Sequence, residues 1–316
     1  MKRTGYLHDN RYILHDTGPH HPETSDRLLA VYEGIKEEGI LEHLTMISAS
    51  RADLKWIETV HDPVYIRRFE EICLSGHNTF DDPDNCISMD TYESAFLAVG
   101  GILDTVDLMM TDKIDNAFCA VRPPGHHAEK DKAMGFCYFN NIAITARYLQ
   151  EKWGIEKVAI IDIDVHHGNG TQHIFEQDAS VFYYSIHEHP SFAYPGTGRD
   201  FEVGTLGGHG FTKNSLVLPG QGDDVYYMLI QGDLMPAINK FEPEVILVST
   251  GFDAHRDDEM SDIKVSTQCF SWMMQTIMDL GERHCDGRVI SILEGGYSLQ
   301  RLPELAGNHV KILLDS

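Results

Sequence analysis

The stretch Ile160-Ile161-Asp162-Ile163-Asp164-Val165-His166-His167-Gly168-Asn169-Gly170 decides how this chain is read. An apolar run of strand type ends in polar groups at every second position. Because strand side chains alternate between faces, Asp162, Asp164 and His166 share one of them. Two carboxylates and an imidazole where a buried strand leaves its sheet cost desolvation energy unless a charge compensates them. A divalent cation is the usual compensator, so the stretch predicts a metallohydrolase.

Working outward, runs rich in Val, Ile, Phe and Tyr recur at 4–8, 44–49, 116–121, 157–163, 180–186, 214–218, 244–249 and 288–293. Helical apolar spacing fills 25–38, 62–74, 90–111, 139–152, 223–240 and 264–282. Strands alternating with helices predict an α/β fold, a mainly parallel eight-stranded sheet with helices on both faces, and such sheets bind ligands beyond the carboxyl ends of their strands. The run 118–121 is followed by Arg122-Pro123-Pro124-Gly125-His126-His127, 245–248 by Ser249-Thr250-Gly251-Phe252-Asp253, and 289–293 by Glu294-Gly295-Gly296-Tyr297. With the opening stretch, four strands deliver polar groups at the same kind of end, and glycines let the backbone turn closely around them. A lone histidine or tyrosine at such an end is usually structural; their co-occurrence in one sheet points to a site.

Asp164, His166 and Asp253 form an oxygen and nitrogen donor set that leaves a fourth position for water, as hydrolytic zinc sites do. Zinc is the first choice, and iron(II) or cobalt(II) accepts the same donors. A dinuclear centre would need more bridging carboxylates, yet the second strand offers Asp253-Ala254-His255. His126 and His127 supply a base for the water and an acid for a leaving amine. Tyr297 donates to a carbonyl oxygen as it gains charge. Asp162 is left to orient one histidine through its far nitrogen, and Asn169 does the same for the other without adding charge.

Bulk properties narrow the classes. Asp and Glu outnumber Lys and Arg by 49 to 25, so nucleic acid is an unsuited partner and cationic ligands are drawn in from a distance. The six cysteines form no C-x-x-C pair, against both a zinc ribbon and a disulfide framework, and a reducing cytoplasm fits. No uncharged apolar run reaches membrane-spanning length, and no linker or repeat divides residues 1–316, which read as one catalytic domain. G-x-S-x-G, P-loop and H-E-x-x-H motifs are absent. The segment 204–210 is rich in glycine but lacks the Lys and Ser/Thr of a phosphate loop, and reads as close packing.

Over nearly its whole length the chain resembles the histone deacetylase/acetylpolyamine amidohydrolase family of the arginase-like fold. The matching motifs are His21-Pro22-Glu23 with Arg27, Arg122 through Ala128, Gly135-Phe136-Cys137-Tyr138-Phe139-Asn140-Asn141, Asp162 through Gly170, Tyr194-Pro195-Gly196-Thr197-Gly198, Gly251-Phe252-Asp253 and Glu294 through Tyr297. The resemblance implies a three-layer fold, zinc on Asp164, His166 and Asp253, a His126/His127 dyad with His127 the main acid/base, and Tyr297 as carbonyl activator. It further implies Gly135, Phe136 and Tyr194 as walls of an acyl-lysine tunnel, and a structural potassium ion held around Asp162, Asp164, His166, Ser185 and Ile186. Asn169 stands where one large branch of the family has Asp, which places the chain closer to the class II branch.

The substrate is then an acyl-lysine peptide or protein, or an acetylated polyamine. Polyamine-selective members carry an acidic gatekeeper, and counting from Asp253 puts Met260 there and Glu259 one residue earlier. An apolar gatekeeper favours acyl-lysine; a one-residue slip of that loop reverses the preference. Asp81 or Asp84 is a candidate rim aspartate, and His20, His21, His187 and His189 read as structural or rim residues. Beside lysine deacylase stand two rivals, an acetylpolyamine amidohydrolase and a protein that binds acyl-lysine without hydrolysing it. Acyl preference, native substrate and oligomeric state are not readable from the sequence.

Overall fold

The computed structural model describes residues 2–316. Along the chain run β1 (Thr4–Leu7), α1 (Asp26–Glu37), β2 (Thr45–Ile47), α2 (Leu54–Ile57), α3 (Pro63–Leu74), β3 (Thr79–Phe80), β4 (Asp82–Cys86), α4 (Thr91–Met110), β5 (Asn116–Cys119) and α5 (Asn141–Trp153). There follow β6 (Val158–Asp162), α6 (Asn169–Phe175), β7 (Val181–Glu188), β8 (Thr212–Val217), α7 (Asp223–Leu229), α8 (Met235–Phe241), β9 (Val245–Thr250), α9 (Thr267–Cys285), β10 (Val289–Leu293) and α10 (Leu302–Asp315).

Eight of these strands form one parallel sheet in the order β2-β1-β5-β10-β9-β6-β7-β8. Every residue of β5, β6, β7, β9 and β10 is buried, as expected for strands covered on both faces. Helices α5 and α9 both pack on β9; α5 groups with α4, whereas α9 groups with α10 and α10 with α1, so a helical layer lies on each side. The four strands whose ends carry the candidate residues, β5, β10, β9 and β6, are consecutive neighbours in the sheet. Their register is level, with Asp162 opposite Ser249 and Ser249 opposite Ile292, so their loops emerge side by side.

Five elements lie outside the segments expected from sequence: α2, α6, α10, β3 and β4. Helix α10 packs Leu302, Leu305, Val310, Leu313 and Leu314 inward behind a Pro303 start. Short helix α6 grows out of the polar loop after β6, and β3 and β4 form a two-stranded antiparallel hairpin. The helix expected at 264–282 begins at Thr267, because the Ser266 side chain caps it by accepting from the Cys269 N–H at 3.2 Å. The segment 223–241 is helical as expected, but a π-helical turn at Ile230–Leu234 separates α7 from α8. All six cysteines are free thiols, and among the described residues no helix is long and apolar enough to cross a membrane.

Candidate active site

Asp164 and His166 leave β6 and Asp253 leaves β9. Each offers one donor atom, and the three atoms lie within 4.8 Å of one another. His166 Nδ1 is 3.2 Å from both Asp164 Oδ1 and Asp253 Oδ2. Backbone N–H groups aim the carboxylates: Gly295 donates to Asp164 Oδ2 at 2.8 Å and Val165 to Asp253 Oδ1 at 2.9 Å. The nearby glycines are obligatory, since a Cβ at Gly251 would sit 2.1 Å from Asp164 Oδ2.

This cluster carries more negative charge than its own cations balance. Burial, then the neighbouring Asp164, pushes the Asp253 carboxyl up to about 7. Burial would raise Asp164 too, but the His126 and His166 imidazoles hold it below the ordinary range. Burial opposes a charge on His166, yet Asp164 and Asp253 raise it well above its usual value. Two buried carboxylates facing one imidazole are the donor set and the charge deficit that a divalent cation fits.

Beside it, the rings of His126 and His127 lie 4.0 Å apart, centroid to centroid. His126 Nδ1 is 3.0 Å from Asp162 Oδ2, and His127 Nδ1 is 2.8 Å from Asn169 Oδ1. Their environments diverge. Burial lowers His126, but Asp162, Asp164 and Glu294 more than reverse this and raise it to about 10. His127 is pushed well below its usual value by burial and by the His126 and His166 imidazoles. One imidazole is thereby kept cationic and the other neutral, the separation expected of a divided acid/base pair.

A cavity of about 150 Å³ leads down to these groups, lined by Gly135, Phe136, Tyr194, Met260 and Tyr297, with Asp82 and Asp84 also on its wall and His127 and His166 within it. It is smaller than most ligand pockets, so it suits an unbranched chain. Gly135 keeps it open: with φ at +54°, a Cβ there would sit 2.3 Å from the His127 ring. Phe136, itself at φ +68°, is held by its N–H donating to Asn85 Oδ1 at 2.8 Å. A larger cavity, about 730 Å³ near α8 and the start of β8, contains none of these groups.

Tyr297 reaches the cavity from a pinned loop. Its N–H and that of Ser298 donate to Asp258 Oδ2 at 2.6 and 2.9 Å, and Arg27 Nε donates to Gly296 O at 2.7 Å. Burial raises the phenol well above its usual value, so the hydroxyl stays protonated as a donor.

The histone deacetylase domain family matches residues 21–313 of this chain. The chain belongs to the histone deacetylase family. It is 38% identical over 299 residues to a probable deacetylase of Archaeoglobus fulgidus, covering 94% of this chain and 82% of that protein. To the polyamine deacetylase HDAC10 of Mus musculus it is 35% identical over 305 residues, covering 92% of this chain and 45% of that one. The crystal structure of the HDA15 HD domain superposes with a TM-score of 0.94 at 35% identity, covering 100% of this chain and 90% of that chain. The arginase-like α/β fold expected from the motifs is therefore the fold of a histone deacetylase family member, and the family's activity is deacetylation, a hydrolysis.

Ser185 faces Asp162 across the β6–β7 pairing, with Ile186 next along β7. The Ser185 Oγ lies 2.8 Å from His187 Nδ1, and His187 is fully buried. Asp84 and Asp82 reach the cavity, but Asp81 does not: it pairs with Arg68 and accepts from the Ala133 N–H at 2.9 Å. An arginine within reach captured it. His21 stacks edge-on to Phe136 at 4.6 Å, a rim position. Of the 204–210 segment only Gly204 and Gly208 are close-packed, a Cβ on Gly208 lying 2.5 Å from Glu176 O, while Thr205, Leu206, His209 and Gly210 are exposed.

Several contributors went unassigned in the sequence. Glu294 is fully buried and accepts from the Gly125 and His126 N–H groups at 2.7 and 3.1 Å, fixing the dyad loop. Its signal was a carboxylate directly after an apolar strand. Glu23 sits buried between Arg27 and Arg122, and Arg27 ties both to the tyrosine loop. Glu23, Arg27 and Arg122 stood in the motifs that carry the resemblance, but their pairing exists only in the fold, which brings Arg122 to a residue 99 positions away.

Proposed function

We propose that this protein is a zinc-dependent lysine deacylase that hydrolyses the amide of acetylated, or otherwise acylated, lysine side chains. The observation that carries the reading is the meeting of Asp164, His166 and Asp253 with two oppositely tuned histidines and Tyr297 at the floor of one narrow aromatic cavity. Zinc on that donor set, with iron(II) or cobalt(II) as substitutes, would polarise the amide carbonyl and acidify a water. His127, neutral and with Nδ1 engaged by Asn169, receives the proton of the attacking water at Nε2. Tyr297 donates its hydroxyl proton toward the carbonyl oxygen as negative charge grows there. His126, oriented by Asp162 and cationic, offsets that charge, and the proton held on His127 passes to the departing amine nitrogen.

Phe136 and Tyr194 flank the aliphatic stem of the substrate, where each buried methylene contributes about 0.8 kcal/mol. Met260 on the cavity wall supports acyl-lysine over a polyamine, because no carboxylate occupies that place. The second reading, an acetylpolyamine amidohydrolase, is favoured by Asp82 and Asp84 beside the same cavity and by the similarity to a polyamine deacetylase. A potassium ion among Asp162, Asp164, His166, Ser185 and Ile186 belongs to the proposal, supported by the side-by-side register of Asp162 and Ser185. So do residues 1–316 as one catalytic domain and a cytoplasmic setting. The deciding experiment compares turnover of an acetyl-lysine peptide with that of acetylspermidine on one preparation of known metal content. Faster peptide hydrolysis supports the first reading and faster polyamine hydrolysis the second. Binding without turnover of either refutes both.

A further inference from the structure

Behind His127 the hydrogen bonding does not stop at Asn169. The Asn169 amide Nδ2 lies 2.5 Å from Glu129 Oε1 and 3.2 Å from the His127 carbonyl oxygen. The same Glu129 oxygen is 2.8 Å from Nδ1 of His173, on helix α6 at the surface. Four groups, His127, Asn169, Glu129 and His173, thus form one chain from the buried catalytic ring to solvent. Glu129 is mostly covered, at 19% exposure, whereas His173 is 44% exposed.

The two faces of an amide differ by two atoms, and only its neighbours decide which way it points. A carboxylate is acceptor-only when ionised, so Glu129 demands the NH2 of Asn169. The oxygen of that amide must then turn to His127, where it accepts and cannot donate. His127 Nδ1 is obliged to carry the proton, which leaves Nε2 with a free lone pair toward the cavity.

We infer that Glu129 is a positioning residue for His127: it fixes the orientation of the Asn169 amide and so the tautomer of the catalytic histidine, with His173 holding Glu129 in place from the surface. This rests on the deacylase reading for its catalytic consequence, but not for the tautomer itself. Two acceptors behind the neutral amide remove its freedom to flip, the His127 carbonyl at 3.2 Å and the Glu129 carboxylate at 2.5 Å, and the carboxylate is the closer and the charged one. A carboxylate at position 169 would face Glu129 directly, two acceptors with no proton between them, so Asn169→Asp is not a neutral exchange in this chain.

The test has two independent readouts on the full-length protein. The first is the 15N and 1H NMR signature of the His127 ring, assigned by its loss in His127→Ala. We expect the Nδ1–H tautomer in the parent and in Glu129→Gln, whose amide oxygen still accepts, and a mixed or Nε2–H ring in Glu129→Ala. The second is turnover of an acetyl-lysine peptide. Glu129→Ala should lower kcat by about tenfold to a hundredfold with little change in KM, the range found when a partner behind a metal-ligating histidine is removed, and Glu129→Gln should restore most of it. Asn169→Asp should lose activity that Asn169→Asp with Glu129→Gln regains, since the glutamine amide can donate to the new carboxylate. Circular dichroism of each variant identifies any that fails to fold, and the Gln and double variants then carry the comparison. An unchanged tautomer in folded Glu129→Ala overturns the inference even if the enzyme is active. Conversely, a parent that turns over no acyl-lysine or polyamine defeats the deacylase reading while leaving the ring signature to stand or fall separately.

Discussion

The backbone N–H of Gly295 donates to Asp164 Oδ2 at 2.8 Å, tying the loop that carries Tyr297 to a carboxylate delivered by a different strand. The proposed carbonyl activator and the proposed metal cradle therefore share one support, and a change at Gly295 should disturb both. A Cβ there would lie 2.1 Å from Asp253 Oδ2 and 2.6 Å from Asp164 Oδ2. Gly295→Ala should lower zinc affinity by about tenfold to a hundredfold, although it removes no donor. Competition with a chelator of known affinity measures it, and unchanged affinity would contradict the described packing.

Tyr297→Phe separates the tyrosine from the metal. The ring keeps its place against Phe136 and under Arg27, whose guanidinium is 5.0 Å from its centroid, so folding and zinc content should be unaltered. Loss of one donor to the developing oxyanion should cut kcat by roughly a hundredfold to a thousandfold. Full activity on an acetyl-lysine peptide would remove Tyr297 from the mechanism.

Met260→Glu should redirect selectivity. Placing a carboxylate beside the existing Asp82 and Asp84 favours a cationic acetylpolyamine over a peptide by roughly fivefold, the effect of about 1 kcal/mol from a partly exposed charge. The ratio of kcat/KM values for acetylspermidine and acetyl-lysine peptide measures it, and no change would place the gatekeeper elsewhere.

Much of this was legible before the fold was known, for physical reasons. Alternation within 160–166 and the apolar runs before Asp253 and Tyr297 made strand ends recognisable, and a parallel sheet gathers strand ends by construction. What was hidden depends on tertiary partners. Asp81 and Asp84 are equivalent acidic loop residues in sequence, and only the position of Arg68 decides which is taken. Glu129 lies outside any strand and acquires a role only because α6 brings Asn169 and His173 to it. Helix α10 has clear apolar spacing in Leu302, Leu305, Val310, Leu313 and Leu314, but it carries no chemically suggestive residue at a strand end.

Glu23 offers a test of the buried support. Burial would raise its carboxyl, but Arg122, His15 and Arg27 hold it below the ordinary range. A carboxyl depressed in the folded state adds stability that is present above the unfolded value, about 4.3, and is lost as pH falls toward the folded one. Glu23→Gln should destabilise the protein by roughly 3–5 kcal/mol at neutral pH, because two buried guanidinium groups lose their counter-charge. Below pH of about 4 its stability should fall less steeply than the parent's, by up to about 1.4 kcal/mol per pH unit. Urea unfolding at several pH values reads both, and parallel slopes would contradict a charged Glu23.

The central claim is that one divalent ion on Asp164, His166 and Asp253 is required for hydrolysis. The direct measurement is a zinc titration of chelator-stripped protein, following turnover of an acetyl-lysine peptide in the parent and in Asp253→Ala. Activity should be negligible at zero zinc, rise linearly and saturate at one zinc per chain, with no recovery in Asp253→Ala. Undiminished turnover by the stripped protein, or full recovery in Asp253→Ala, would contradict the claim.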